Sequence, residues 1–250
     1  MYGQEIKEDL LFCMFYAGVA VLSAIASCYL LFRRGNAFNP DINPPVRLRR
    51  WTAALFAVMA LCHVWYMPIA YFTEPDAIRR TYFIGSMLDS ITILPMSIAV
   101  LLCMLQDRRR PLWPIWVLMM PITALLGWCV YSGSDDSLPL VFTYLIVLAI
   151  VIVIYMVRAL RQYGRWLRDN YADLEHKEVW QTFLVLAAFV VMFGIYCSNV
   201  KSMAYEYAIQ ICSTIVPLYL LWRVETLSHL KAPPSALKAP LSAPEGEAPP

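Results

Sequence analysis

Seven long apolar runs constrain the fold of this chain more than any other feature of its sequence. Each is about 20 residues long, the length that a helix needs to cross the ~30 Å hydrocarbon core of a bilayer. Because the apolar residues are continuous rather than alternating, each run can satisfy its backbone in lipid only as a helix. The sequence therefore predicts an all-α, polytopic membrane protein, a bundle of seven transmembrane helices. The predicted spans lie near residues 10–32, 51–72, 82–105, 112–131, 138–157, 181–198 and 203–222.

Composition agrees with this class. Apolar residues make up 60% of the chain and charged residues 15%, against about 45–50% and about 25% in soluble domains. A soluble fold of this length would need more charged residues to cover its surface. The seven cysteines all lie in apolar stretches and form no CxxC pair. They are interpreted as packing residues rather than disulfides or metal ligands.

The basic residues predict the orientation, because loops on the cytoplasmic side of a membrane are enriched in Lys and Arg. If the N-terminus lies outside, 16 of the 20 basic residues fall in cytoplasmic segments. The outer segments then keep only Lys7, Arg79, Arg80 and Lys201. We therefore expect the N-terminus outside and the C-terminus in the cytoplasm.

The chain divides into two parts. Residues 1–230 form the predicted seven-helix membrane domain. Residues 231–250, KAPPSALKAPLSAPEGEAPP, are rich in Pro and Ala and contain almost no large apolar side chains. Such a segment cannot bury enough apolar surface to fold. We expect it to be a disordered cytoplasmic tail.

Asp89 and His63 are ionisable residues inside predicted spans. Asp89 lies about seven residues into the third run, and His63 lies at comparable depth in the second. Ionisable groups at such depth usually face a bundle interior or a cavity. Since the second and third helices are antiparallel neighbours, we expect a hydrogen bond between His63 and Asp89. Two interpretations remain: a polar or proton-sensitive ligand site, or a buried pair that locks two helices together.

The last predicted span carries a polar stripe. Glu206, Gln210 and Ser213 recur at i, i+4 and i+7, which places them on one side of a helix. Such a stripe is expected to face the bundle rather than lipid. Glu206 is shallow enough to be interfacial instead, paired with Lys201. The candidate ligand pocket comprises His63, Asp89, Glu206 and Gln210, with Tyr66, Tyr205 and Tyr207 at its rim.

Four arginines follow the fifth span at helical spacing. They recur at i, i+3, i+7 and i+10 and predict a basic face on a helix that continues out of the membrane. Such a face can bind anionic lipid headgroups, at about 1 kcal/mol per basic residue, or a protein partner. It can equally be a topology signal without a ligand. The four residues are Arg158, Arg161, Arg165 and Arg168.

Several catalytic classes find no support in the sequence. It contains only three histidines, and the motifs HExxH, GxSxG, GxGxxG and the P-loop are missing. A retinal-binding pump needs a lysine in its last helix, and residues 203–222 contain none. We therefore predict no catalytic residue, no metal site and no cofactor.

Three stretches resemble the membrane region of certain Bacteroidetes regulators. They are QDRRRPLWP (106–114), YGRWLRDNYADLEHKEVW (163–180) and LLWRVETLSHL (220–230). In those regulators, N-terminal helices precede a cytoplasmic output module, an AraC-type helix-turn-helix domain or a histidine kinase. The resemblance implies a sensor in a bacterial plasma membrane that relays a signal through its last helix. After Leu230 this sequence has only the Pro/Ala tail, so we expect no nucleic-acid binding by this chain.

Two functional hypotheses follow. The first is a non-enzymatic integral membrane sensor or receptor-like module that passes its signal to a separate cytoplasmic regulatory protein. The second is a small transporter or channel whose path passes Asp89 and His63. The predicted inner halves of the helices offer almost no ionisable or amide residues to continue such a path. The sequence therefore favours the sensor.

Overall fold

The computed structural model of the protein is all-helical. It describes residues 8–33, 44–132, 138–170, 175–198 and 202–227. Within these ranges there is no strand, and seven helices are long and apolar enough to cross a membrane. The predicted fold class is confirmed to this extent, while the predicted tail lies outside the described residues. The helices are α1 (Leu10–Phe32), α2 (Val46–Trp65), α3 (Pro75–Met104), α4 (Trp113–Ser132), α5 (Leu138–Asn170), α6 (Glu175–Ser198) and α7 (Met203–Thr226).

The bounds of the apolar runs agree with the helix bounds where the helix has the same length as its run. They agree less well where the helix is longer than the run. Helix α1 has the predicted bounds. Helix α3 begins at Pro75 rather than near 82, because proline suits the first helical position and Asp76 suits the first turn. Helix α5 continues to Asn170, so the segment with the four arginines is helical as predicted.

Prolines shape several of the helices. Helix α2 ends at Trp65, and a 3₁₀ helix at Met67–Ala70 follows with Pro68 in its first turn. The second predicted span is thus two elements rather than one continuous helix, since proline cannot donate the backbone hydrogen bond of a helix interior. Pro95, Pro121 and Pro217 lie inside α3, α4 and α7.

Helix α3 lies at the centre of the bundle and packs against α2, α4 and α6. Every residue from Ile98 to Leu105 is buried, so the end of α3 is enclosed on all sides. The main apolar core surrounds this segment and includes Phe56 of α2, Leu160 of α5 and Val224 of α7. Helix α7 closes the bundle against α1, α2 and α6.

The bundle has two ends that carry different polar contacts. Tyr16 at the start of α1 donates to the carbonyl oxygen of His63 near the end of α2, at 3.0 Å. Ser27 lower in α1 donates to the carbonyl oxygen of Ala53 at 2.8 Å. Helices α1 and α2 therefore run antiparallel. We call the end with the starts of α1, α3 and α7 the N-terminal end, and the opposite one the C-terminal end.

Candidate functional site

Asp89 lies in the middle of the central helix. It is the fifteenth of the 30 residues of α3 and is 8% exposed. It lies about seven residues into the apolar run, as expected, but fourteen residues after Pro75, because α3 begins about two turns before that run. Its carboxylate is therefore about 21 Å along the axis from Pro75, at 1.5 Å per residue.

Three neutral donors hold the Asp89 carboxylate. Trp65 Nε1 donates to Oδ1 at 3.0 Å, Tyr66 OH donates to Oδ2 at 2.8 Å, and Tyr196 OH donates to Oδ2 at 3.1 Å. The two phenolic oxygens lie 3.2 Å apart. Trp65 is the last residue of α2, Tyr66 directly follows it, and Tyr196 is near the end of α6, so the carboxylate joins three helices. We call Trp65, Tyr66, Asp89 and Tyr196 the Asp89 cluster.

Gly85 lets the Tyr66 ring reach the carboxylate. It lies one turn before Asp89 on the same side of α3, and a Cβ atom there would be 2.7 Å from Tyr66 Cζ. Any other residue would force the ring away from the helix, because real Cβ atoms do not approach a carbon so closely. Tyr82, another turn earlier, has its ring centroid 6.0 Å from that of Tyr66.

His63 belongs to a second polar group, which joins α1, α2 and α7. The side chain is 4% exposed. Its Nδ1 lies 2.7 Å from the carbonyl oxygen of Met59, and its Nε2 lies 3.4 Å from Gln210 Oε1. The Tyr16 ring centroid is 4.4 Å from that of the imidazole.

The expected hydrogen bond between His63 and Asp89 is wrong. Among the described residues, His63 contacts Met59 and Gln210, while Asp89 contacts the three members of its own cluster. The reason is helical geometry. Two residues along a helix turn a side chain by about 200°, so Trp65 points towards α3 while His63 points towards α1 and α7.

The predicted polar stripe of α7 faces the bundle at two of its three positions. Gln210 and Ser213 are 5% and 9% exposed, whereas Glu206 is half-buried in the first turn. The expected partner of Glu206, Lys201, lies outside the described residues. Of the four predicted pocket residues, the structure thus joins His63 to Gln210 directly and places Asp89 in the neighbouring cluster.

The two predicted rim tyrosines of α7 tie this helix to its neighbours. Tyr205 OH donates to the carbonyl oxygens of Ile195 and Tyr196, at 2.8 and 3.1 Å. Tyr207 OH donates to Asp9 Oδ2 at 3.0 Å. The Asp89 cluster and the His63 group are therefore connected through the start of α7.

Sequence reasoning missed two members of the Asp89 cluster, Trp65 and Tyr196. Aromatic residues near the ends of spans are expected in the interfacial belts of membrane proteins, so nothing about their positions set these two apart. The usable signal was the rarity of Asp89, since a buried carboxylate needs donors. Which aromatic residues supply them depends on helix packing.

A further polar group at the C-terminal end was also missed. Arg110 and Asp107 form a two-pronged ion pair with distances of 2.5 and 2.9 Å, and their side chains are 2% and 6% exposed. Arg47 at the start of α2 donates to the carbonyl oxygen of Arg110 at 2.8 Å. Tyr29 OH of α1 donates to Glu225 Oε2 of α7 at 3.1 Å. The basic run at 108–110 thus holds one buried structural arginine besides the exposed Arg108 and Arg109.

The four arginines after the fifth span lie along one exposed side of α5. Arg158, Arg161, Arg165 and Arg168 are exposed. The intervening residues Ala159, Leu160, Tyr163 and Leu167 are buried in the main core. We call these four arginines the basic face of α5. Because the apolar side of the same turns packs into the main core, the basic face is held at the C-terminal end of the bundle.

In the described part of the chain, no group of three His, Cys, Asp or Glu residues is placed to hold a metal ion. No family model matches the chain, and neither a curated protein nor a solved structure does.

Proposed function

We propose that the chain is a non-enzymatic integral membrane sensor, a receptor-like module of a bacterial plasma membrane with its N-terminal end outside. A ligand at the N-terminal end would shift α7, and the C-terminal end of α7 would pass the change to a cytoplasmic regulatory protein. The observation that carries this proposal is that α7 is held by specific polar contacts at both of its ends.

At the N-terminal end, α7 contacts three other helices. Tyr207 bonds to Asp9 before α1, Gln210 contacts His63 of α2, and Tyr205 bonds to the backbone of α6. Hydrogen bonds are directional and are lost when the partners move apart by about 1 Å. A change in the position of α2 or α6 at this end therefore changes the contacts of α7.

At the C-terminal end, α7 carries buried charged side chains. Arg223 and Glu225 are each 1% exposed, and Glu225 accepts a hydrogen bond from Tyr29 of α1. A buried charge is costly unless its partners stay in place. Helix α7 is therefore expected to exchange between discrete arrangements rather than to slide continuously, which is how packed helices switch.

Pro217 separates the two ends of α7. It lies seven residues after Gln210 and eight before Glu225. Proline removes one backbone hydrogen bond and is a common cause of helix bending. A ligand can shift α7 about this point only if it binds one arrangement more tightly than the other. Tyr196, which bonds both to Asp89 and, through its carbonyl oxygen, to Tyr205, gives the ligand site a route to α7.

The basic face of α5 is the surface that we assign to output. Its buried side, with Leu160 and Leu167, belongs to the same apolar core as Val224 near the end of α7. Exposed guanidinium groups bind carboxylate and phosphate groups, so the face suits an acidic regulatory protein, with anionic lipid headgroups as its neighbours in the bilayer. No nucleic-acid binding is proposed for this chain.

A transporter or channel is the alternative, and the buried Asp89 in the middle of α3 is the observation that favours it. Against it, the described residues of α3 beyond Ser97 are apolar and enclosed as far as Leu105. A polar path past Asp89 would therefore have to leave the central helix. Proteoliposome flux separates the two functions, because transport that depends on Asp89 would reject the sensor.

The sensor is tested by site-specific photocrosslinking in native membranes. A photocrosslinker in place of Arg168 should capture a cytoplasmic protein. The matched control is the same crosslinker in place of Ile154, which is exposed on α5 within its apolar segment. Failure to capture any protein from Arg168, or equal capture from Ile154, contradicts the proposal.

A further inference from the structure

We infer that the Asp89 cluster binds an organic ammonium ion that carries at least one N–H group. This inference rests on the proposed function in taking the cluster as the input site of the sensor, and it adds the chemical class of the ligand. It follows from the charge, the free acceptor position and the aromatic surroundings of Asp89.

Asp89 is a buried carboxylate whose protein partners are all neutral. Within the part of the chain that the structure describes, no lysine or arginine forms an ion pair with it; its partners are Trp65, Tyr66 and Tyr196. The other buried aspartate side chain, Asp107, is paired with Arg110. Burying a carboxylate is costly unless a cation balances it. The Asp89 cluster therefore favours a cationic ligand.

The carboxylate has one acceptor position left. An ionised carboxylate offers about four lone-pair positions, and three are used. Oδ2 accepts from both tyrosines, whereas Oδ1 accepts only from Trp65. The remaining position is on Oδ1, the oxygen bonded to the indole of Trp65. A ligand N–H group that reaches Oδ1 would not have to displace a protein donor.

The surroundings suit an organic cation better than a metal ion. The aromatic side chains of Trp65, Tyr66 and Tyr196 contact the carboxylate, and Tyr82 lies next to Tyr66. All four are partly exposed. Aromatic faces attract ammonium groups, and Trp does so most strongly. Calcium and magnesium need several oxygen ligands, and no described acidic residue joins Asp89 in such a set.

Binding at Oδ1 would act on the helices that the cluster joins. A cation changes the charge balance at the carboxylate that Tyr66 of α2 and Tyr196 of α6 share. Tyr196 in turn accepts a hydrogen bond from Tyr205 of α7 through its carbonyl oxygen. An ammonium ligand is thus placed to change the contact between α6 and α7.

The test is equilibrium binding to the full chain in nanodiscs of zwitterionic lipid, which attract no cations by surface charge. Methylammonium, benzylammonium and tryptammonium are titrated and followed by calorimetry. Benzyl alcohol and tetramethylammonium serve as controls without charge and without an N–H group. At least one amine should bind saturably, and both controls should bind about tenfold more weakly or worse.

Variants assign the binding to the cluster. Asp89→Asn should weaken amine binding by about tenfold or more. The matched control is Asp76→Asn, because Asp76 is an exposed aspartate on the same helix, and its affinity should be unchanged. Trp65→Phe keeps an aromatic ring but removes the N–H donor and the indole. It should also weaken binding, and it replaces Asp89→Asn if that variant does not fold.

The outcomes are distinct. Saturable amine binding that needs Asp89 or Trp65 supports the inference. Lack of saturable binding by all three amines, or wild-type affinity in the variants, overturns it. Amine binding without any capture of a regulator from Arg168 would overturn the sensor and leave the ammonium site standing. Capture without amine binding would do the reverse.

Discussion

Single residues at close contacts decide whether the Asp89 cluster can form. Tyr66 reaches the carboxylate only because residue 85 has no side chain, and both tyrosines of the cluster bond to the same oxygen. His63 is in the same helix as Tyr66 and faces a different helix pair. The partners of each polar residue therefore depend on the side of the helix that it occupies.

Gly85→Ala should destabilise the protein. The new methyl group would overlap the Tyr66 ring, which is held in place by its bond to Asp89. Overpacking of this kind typically costs about 1–3 kcal/mol, measured as the free energy of unfolding in mixed micelles. Gly127→Ala is the control, because a Cβ atom there meets nothing within 4 Å. Equal stability of the two variants would contradict the packing described here.

Tyr66→Phe and Tyr196→Phe should each destabilise the bundle, and their effects should not add. Each removes one hydrogen bond to a carboxylate, for which about 1.5–3 kcal/mol is typical. Because the two hydroxyls share Oδ2 and lie 3.2 Å apart, a double-mutant cycle should give a coupling energy of about 0.5 kcal/mol or more. Tyr131→Phe, at a residue 87% exposed, should be neutral. Strict additivity would show that the two hydroxyls act independently.

Whole elements show a division between buried and exposed charge at the C-terminal end. The segment between α3 and α4 holds Arg110 against Asp107 inside the bundle and leaves Arg109 exposed. Helix α5 keeps its four arginines on the side away from the core. The same residue type therefore stabilises the fold in one element and forms a surface in another.

Arg110→Gln should be far more damaging than Arg109→Gln. Removing the Arg110 guanidinium leaves the Asp107 carboxylate buried without its cation, and breaking such a pair costs about 3–5 kcal/mol. Exposed substitutions are usually within about 0.5 kcal/mol of neutral, which is the expectation for Arg109. Unfolding of both variants under identical conditions is the measurement. Similar losses in the two would contradict the buried ion pair.

Replacing the basic face of α5 should leave the fold intact and weaken its surface contacts. With all four arginines changed to glutamine, stability should stay within roughly 0.5 kcal/mol per substitution, since each is exposed. Retention of phosphatidylglycerol through purification should fall, by about 1 kcal/mol of binding free energy per arginine. Native mass spectrometry measures this retention. Arg79→Gln with Arg80→Gln is the control at the N-terminal end, and an equal loss of lipid there would remove the special role of α5.

At the scale of the whole molecule, seven apolar helices make a multi-pass membrane architecture with distinct ends. The half of the bundle towards the N-terminal end holds Asp89, His63 and Gln210, and the C-terminal end holds the buried ion pair and the basic face. The distribution of basic residues predicts that the C-terminal end faces the cytoplasm. The proposed direction of signalling depends on this orientation.

Reporter fusions test the orientation. A green fluorescent protein fused after Pro250 should fluoresce, and alkaline phosphatase at the same place should be inactive, because the C-terminus is expected in the cytoplasm. Alkaline phosphatase inserted between Asp135 and Asp136 should be active, since the loop between α4 and α5 is expected outside. The opposite pattern of activities would invert the bundle and the proposed signalling direction.

For the part of the chain that the structure describes, the sequence alone determined the number of long apolar helices and most of their bounds. Each apolar run must form its own helix in lipid, so this information is local and can be read without knowing the packing. The rarity of Asp89, His63 and Gln210 in such runs also identified them as residues that face the bundle, and all three are buried. The start of α3 and the end of α5 were harder to place, because these turns lie outside the apolar runs and depend on caps and tertiary contacts.

Only the tertiary structure decided which of these residues meet. Asp89 and Tyr196 are 107 residues apart in the chain, and Tyr29 and Glu225 are 196 apart. Such pairs depend on the rotation and tilt of each helix relative to its neighbours. Those angles are set by the fit of many side chains at once. The cost of burying backbone groups in lipid determines each helix separately. The contacts between helices depend on the packing of all of them at once.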